Sequence, residues 1–159
     1  AGETGEIVVR GARIMKGYWK DEEKTRKAFT ADGWYRTGDM GYKDEEGYIY
    51  LTGRADDIIV RGGENIGPSE VESVLSTHPK IEEAGVIGVK DVEWGQQVRA
   101  IVRLKEGESA TEAEIIDFTR PRLAGFKRPT SIIFVSGELP KTSTGKVLRR
   151  ELRANYGEP

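Results

Sequence analysis

Cysteine is absent from the 159-residue sequence, which excludes disulfides, thiolate metal sites and a cysteine nucleophile. Histidine occurs once, as His78 ahead of Pro79 at what reads as a helix end, so a structural role is expected of it, and no metal cluster is visible. No apolar run approaches the roughly 18 residues that would suggest a membrane span. Neither sign of charge dominates: 25 Lys plus Arg against 27 Asp plus Glu leave a net charge of -2. That offers no broad basic footprint for nucleic acid, so any phosphate contact is expected to be local. A signal sequence is lacking, which makes the cytoplasm the default compartment. An initiator Met is lacking too, and the opening Ala1-Gly2-Glu3-Thr4-Gly5-Glu6-Ile7-Val8-Val9-Arg10 reads as a turn and then a strand, as in the interior of a longer protein. The 36% hydrophobic content suffices for one ordinary core, or for two small ones packed together.

Residues 1 to about 53 read as β-rich. Glu6 to Arg10 is a strand candidate, and Gly41 to Thr52 a hairpin around Asp44-Glu45-Glu46-Gly47, with a short polar helix from Asp21 to Phe29 between them. Farther on, Asp57-Ile58-Ile59-Val60-Arg61 and Asn65-Ile66 flank Gly62-Gly63, a pairing that suits a tight turn needing positive φ. Pro68 stands where a first helical residue should be, with Val71, Val74 and Leu75 on one apolar face before His78-Pro79 ends the helix. Strands are expected over Ala84 to Val89, Val98 to Leu104 and Ser131 to Val135. Thr111-Glu112-Ala113-Glu114 is a capping box opening a helix whose Ile115, Ile116 and Phe118 face inward, ended or kinked near Pro121. A loop and a last helix follow. The fold class is therefore α+β: a β-rich N-terminal segment (1–53) belonging to a larger domain, a polar hinge (54–57), and a small domain (58–159) with a hairpin and a short mixed sheet flanked by helices.

The run Leu139-Pro140-Lys141-Thr142-Ser143-Thr144-Gly145-Lys146 holds a lysine on a Gly-containing loop before a helix, a setting that suits phosphate chemistry. It is not a P-loop, which needs a glycine five residues before its Gly-Lys pair and a Ser or Thr after it; Pro140 and Val147 stand there instead. A cation at a helix start opposes the helix dipole, which argues for an anionic partner. In Trp34-Tyr35-Arg36-Thr37-Gly38-Asp39 the carboxylate could accept two hydrogen bonds from a ribose diol, or could cap a turn beside a half-buried Tyr35.

Three further runs follow in order: Gly53-Arg54-Ala55-Asp56-Asp57-Ile58-Ile59, then Gly62-Gly63-Glu64-Asn65-Ile66-Gly67-Pro68-Ser69-Glu70-Val71-Glu72, and the Lys146 run itself. With Trp34 to Asp39 they closely resemble the C-terminal signatures of the adenylate-forming superfamily, most closely the acyl- and aryl-CoA synthetases. The resemblance spans essentially the whole chain. It implies a two-step reaction: a carboxylate attacks the α-phosphate of ATP to give an acyl adenylate and pyrophosphate, then CoA thiol displaces AMP to give a thioester.

On that resemblance Lys146 supplies the cation that neutralises charge during adenylation. Asp39 holds the ribose hydroxyls and Arg54 contacts the nucleotide, unless Arg54 is instead a surface ion pair with Asp56 or Asp57. Asp56 is the hinge of a mobile domain, or else part of a plain polar linker. Gly62 and Gly63 let backbone approach the arm of CoA, or simply turn a hairpin. Trp94 lies near the thiol tunnel, while Phe126 with Arg128 or Lys127 meets the CoA nucleotide; ordinary packing is the alternative for both aromatics. Lys141 is a weaker phosphate candidate, more simply a solvated loop residue. ATP with Mg²⁺ and CoA are the implied cosubstrates, with the Mg²⁺ site, the Ser/Thr/Gly-rich phosphate loop and the acyl pocket all expected in an N-terminal domain upstream of these residues. The substrate acid is therefore open among fatty, aryl and short branched acids. A carrier-loading adenylation domain, and a non-catalytic module that binds a nucleotide or a protein, are the alternatives; the Arg61 to Ile66 run and Trp94-Gly95-Gln96 resemble CoA ligases more.

Overall fold

Turn chemistry accounts for most of the element boundaries in the computed structural model, which describes residues 2–158. The chain divides into two compact units, one running to Asp56 and the other starting at Asp57.

In the first unit, β1 (Gly5–Val9), β2 (Tyr35–Lys43) and β3 (Ile49–Arg54) form an antiparallel sheet in that order. The expected Asp44 to Gly47 turn closes β2 onto β3, with Asp44 Oδ1 accepting from the Tyr48 amide at 2.8 Å. β2 begins well before the expected Gly41, so Asp39 lies in mid-strand opposite Arg54 rather than capping a turn. The polar helix α1 (Glu22–Lys27) is capped by Asp21, whose Oδ1 accepts from the Lys24 amide, and buries no residue.

In the second unit, β4 (Ile59–Arg61) and β5 (Glu64–Ile66) make the expected hairpin, with Gly62 and Gly63 both at positive φ (58° and 86°) as a primed turn requires. Helix α2 (Pro68–Leu75) starts on its proline and buries Val71 and Leu75. β6 (Ile81–Asp91) and β7 (Gly95–Leu104) are longer than their apolar runs suggested and pair antiparallel, which leaves Trp94 in their tight turn. Helix α3 (Glu112–Thr119) is capped by the Thr111 hydroxyl and ends before Pro121, and β8 (Ser131–Phe134) returns parallel to β7, making the sheet mixed. Helix α4 (Arg149–Tyr156) closes the described chain.

The β6–β7–β8 sheet is buried on both faces, which is why its strands read as near-continuous apolar runs. Val86, Val98, Ala100, Val102 and Ile132 pack with Ile59, Ile66, Val71, Leu75 and Ile115. Ile87, Val89 and Ile101 pack with Leu139 and with Leu152 of α4. Gly85 makes room there: a Cβ on it would stand 2.6 Å from Leu152 Cδ1. His78 is buried as expected, edge-on to Phe118, with Nδ1 accepting from the Lys80 amide at 3.2 Å. Burial pushes the imidazole pKa down, against the opposing pull of Glu114.

Candidate functional site

The candidate residues fall into three groups, one in the first unit and two in the second. In the first, the β2–β3 register sets Arg54 opposite Asp39, and Arg54 Nη1 donates to Asp39 Oδ1 at 2.8 Å and to the Thr37 carbonyl at 3.0 Å. Arg54 is thus ion-paired with Asp39 across the sheet. Gly38, at φ 72°, leaves space for the guanidinium, since a Cβ there would meet Arg54 Nη2 at 2.8 Å. Asp56 is exposed within a single 3-10 turn, Ala55–Asp57.

The second group is the Lys146 loop. Gly145, at φ 82°, turns the chain, and the Thr142 amide donates to the Lys146 carbonyl at 2.7 Å while the Lys146 amide donates to the Thr142 hydroxyl at 3.1 Å. Lys146 is exposed, and among the described residues its ammonium has no hydrogen-bond or ion-pair partner. It precedes α4 by three residues rather than occupying its first turn, so the expected opposition to the helix dipole falls on Arg149 instead.

Three of the neighbouring cations, Lys141, Arg149 and Arg153, are paired with carboxylates. Lys141 is exposed but paired: its ammonium bonds to Glu83, which also accepts from Arg103 and from the Leu139 amide at 3.0 Å. Burial alone would raise the Glu83 pKa, but hydrogen bonds from Arg103, Lys141 and Leu139 outweigh it and hold the carboxyl down at about 2. Arg149 donates to Glu72 Oε2 at 2.5 Å and to Asp57 Oδ2 at 3.1 Å, and Arg153 reaches Asp57 Oδ1 at 3.1 Å. Glu72 Oε1 also accepts from the Val86 amide. The lysine loop is therefore tied to β6 on one side and to α2 and the start of the unit on the other. Neither network was legible in sequence; the charges sat in motifs, but nothing local paired them.

The third group is a cleft of about 260 Å³ lined by Arg61, Gly62, Glu64, Trp94, Gly125 and Phe126. The Gly62 amide donates to the Trp94 carbonyl at 2.9 Å, and a Cβ on Gly62 would stand 2.8 Å from the indole. Gly63, beside it, opens onto free space. Trp94 is about half exposed (48%), while Phe126 is partly buried against the core. The structure thus brings Gly62, Trp94 and Phe126 together. Arg128 is not among the residues lining the cleft, and its Nε and Nη2 donate to the carbonyls of Leu123 and Arg120, both at 3.0 Å. Lys127 is bonded to both oxygens of Glu70 at 2.8 Å. Arg61, Glu64 and Gly125 are cleft residues that sequence reasoning did not single out; only their closeness to Gly62 and Phe126 along the chain pointed to them. No described helix is long and apolar enough to cross a membrane.

Residues 70–146 match the family of the AMP-binding enzyme C-terminal domain. The chain is 52% identical to the 2-succinylbenzoate–CoA ligase of Geobacillus kaustophilus (strain HTA426), an alignment covering 95% of the chain and 30% of that relative. It is 48% identical to the mitochondrial medium-chain acyl-CoA ligase ACSF2 of Danio rerio, over 96% of the chain and 25% of that relative. Among solved structures, the o-succinylbenzoate CoA synthetase MenE of Bacillus subtilis, in complex with its acyl-adenylate intermediate OSB-AMP, superposes with a TM-score of 0.86 at 41% identity, covering 96% of the chain and 31% of that structure. The chain therefore spans about a third or less of the length of each of these proteins.

Proposed function

The chain belongs to the adenylate-forming superfamily, as its C-terminal portion, and from that premise we propose that it serves an AMP-forming acyl-CoA synthetase, converting carboxylate, ATP and CoA to acyl-CoA, AMP and pyrophosphate. In the first half-reaction the substrate carboxylate oxygen bonds to the α-phosphorus as pyrophosphate leaves. In the second, the CoA sulfur bonds to the acyl carbon as AMP leaves. The observation that most directly supports this reading is the Lys146 ammonium: exposed and unpartnered among the described residues, on a turn whose backbone is bonded to itself. Lys141, Arg149 and Arg153 around it are all neutralised by carboxylates. A cation displayed on a bonded turn with nothing opposite it is available to an anion that arrives from elsewhere, such as the charge shared between a carboxylate and an α-phosphate.

Asp39 would accept the ribose hydroxyls, with Arg54, already bonded to it, orienting the carboxylate or reaching the nucleotide itself. Asp56 would be the pivot: it is exposed, whereas the adjacent Asp57 is gripped by two arginines. The arm of CoA would pass Gly62 and Gly63 between Trp94 and Phe126, and Arg128 would offer its remaining Nη1 to the CoA nucleotide. Mg²⁺ accompanies ATP in such enzymes, but no group of three or more His, Asp or Glu among the described residues is arranged to hold it, and no step here runs through it. Two relatives act, by name, on an aryl and on medium-chain acids, so the substrate acid is left to the acyl pocket upstream.

The test is Lys146→Ala in the full-length enzyme. Adenylation, read as ATP–pyrophosphate exchange, should fall by about 10²-fold or more, while thioester formation from supplied acyl adenylate largely survives. Equal loss of both half-reactions would refute the assignment. The 159-residue chain, which spans about a third or less of these relatives, should show no exchange on its own.

A further inference from the structure

Three walls from distant parts of the sequence enclose the cleft of the second unit: the β4–β5 turn, the β6–β7 turn carrying Trp94, and the 3-10 turn Gly125–Lys127. The first two are joined by short bonds, from the Gly62 amide to the Trp94 carbonyl at 2.9 Å and from the Val60 amide to Gln96 Oε1 at 2.7 Å. The third wall is reached from the hairpin by Arg61, whose Nη1 donates to the Phe126 carbonyl at 3.0 Å across 65 residues of sequence. The same guanidinium stands 6.0 Å from the centroid of the Trp94 ring, at the outer range of a cation–π contact. One side chain thus touches all three walls.

We propose that Arg61 is a positioning residue for the thiol cosubstrate: by bracing the Gly62–Gly63 turn, Trp94 and Phe126 against one another, it sets the width of the slot that admits the uncharged pantetheine arm. This rests on the reading that the cleft admits CoA. A phosphate seat is the less fitting role for Arg61, because the Glu64 carboxylate lines the same cleft and opposes an anion there. Arginine suits bracing, since its planar fork can hold a carbonyl with one nitrogen while its face lies toward an indole.

The test compares Arg61→Ala and Arg61→Lys in the full-length enzyme. Arg61→Ala should raise KM for CoA about tenfold or more in thioester formation from supplied acyl adenylate, with ATP–pyrophosphate exchange within about twofold of the parent. Arg61→Lys, which keeps a donor for the Phe126 carbonyl, should recover part of that loss and covers the case in which the alanine variant folds poorly. Because the arm is what the slot fits, pantetheine, which carries no phosphate, should suffer the same fold-increase as CoA. An increase confined to CoA would overturn bracing in favour of a phosphate contact, and an unchanged KM for both thiols, or an equal loss of exchange, would overturn it outright. Gly62→Val separates this inference from its premise. If that variant forms thioester normally, the cleft is not the path of CoA; if it is blocked while both Arg61 variants behave as the parent, only the role of Arg61 fails.

Discussion

Strand β3 of the first unit and strand β6 of the second both carry apolar runs, yet they bury them in opposite ways. Ile49, Tyr50 and Leu51 are 60%, 47% and 69% exposed, whereas Val86 and Ile87 are fully buried. The difference lies in what covers each sheet. Helix α1 buries nothing, and every buried apolar side chain among the described residues lies at or after Ile59. The β6–β7–β8 sheet has a core on each face, closed by α2 and α3 on one and by Leu139 and α4 on the other. A sheet needs a packed layer to be stable, so the second unit can position its lysine loop and cleft by itself, while the Asp39–Arg54 pair depends on strand register alone.

The sharpest way to break this contrast is to separate the units. Residues 57–159 alone should unfold in one cooperative thermal transition, and residues 1–56 alone should show none; a cooperative melt of the shorter piece would end the comparison. Next in size is Arg149→Ala, which leaves Glu72, only 16% exposed, without its cation and Asp57 with Arg153 alone. It should destabilise the second unit by about 3 kcal/mol in urea titration, as loss of one partner of a buried pair does. Somewhat smaller is the effect of Glu83. Its folded pKa of about 2 lies below the ordinary 4.5, so its contribution is complete above about pH 4.5 and disappears as pH falls toward 2. Glu83→Gln should cost roughly 2 kcal/mol at neutral pH and flatten the acid limb of a stability–pH curve over that window. A mutant curve parallel to that of the parent would show that Lys141 and Arg103 do not stabilise the loop through this carboxylate. Smallest is Leu51→Lys, which at this exposed position should change stability by no more than about 0.5 kcal/mol.

Most of the architecture was legible because it follows from local rules. Gly62-Gly63 demanded a primed turn, Pro68 and Thr111 marked helix starts, and the two-sided burial of the central sheet wrote continuous apolar runs into β6 and β7. Boundaries shifted where pairing overrode pattern: β2 starts at Tyr35 because its first residues pair with β1, and β3 joins it only from Asp39. Charged residues were the least legible. Lys141 and Lys146 stand five residues apart on one loop, yet one is paired with Glu83 and the other has no partner among the described residues. Arg128, expected to face CoA phosphates, spends two nitrogens on backbone carbonyls, and Arg61, expected to flank a turn in a run resembling CoA ligases, spans the cleft.

By itself, then, the sequence determined the order of the elements, the turn at Gly62-Gly63 and the loop that displays Lys146, since steric limits on φ and the periodicity of apolar residues act over a few neighbours. Which cation is neutralised and which has no partner among the described residues was decided only by the tertiary structure. The partners of Lys141, Arg149 and Arg153 lie 58 to 96 residues away in sequence, and a charge can be paired only by what folding brings within hydrogen-bond reach.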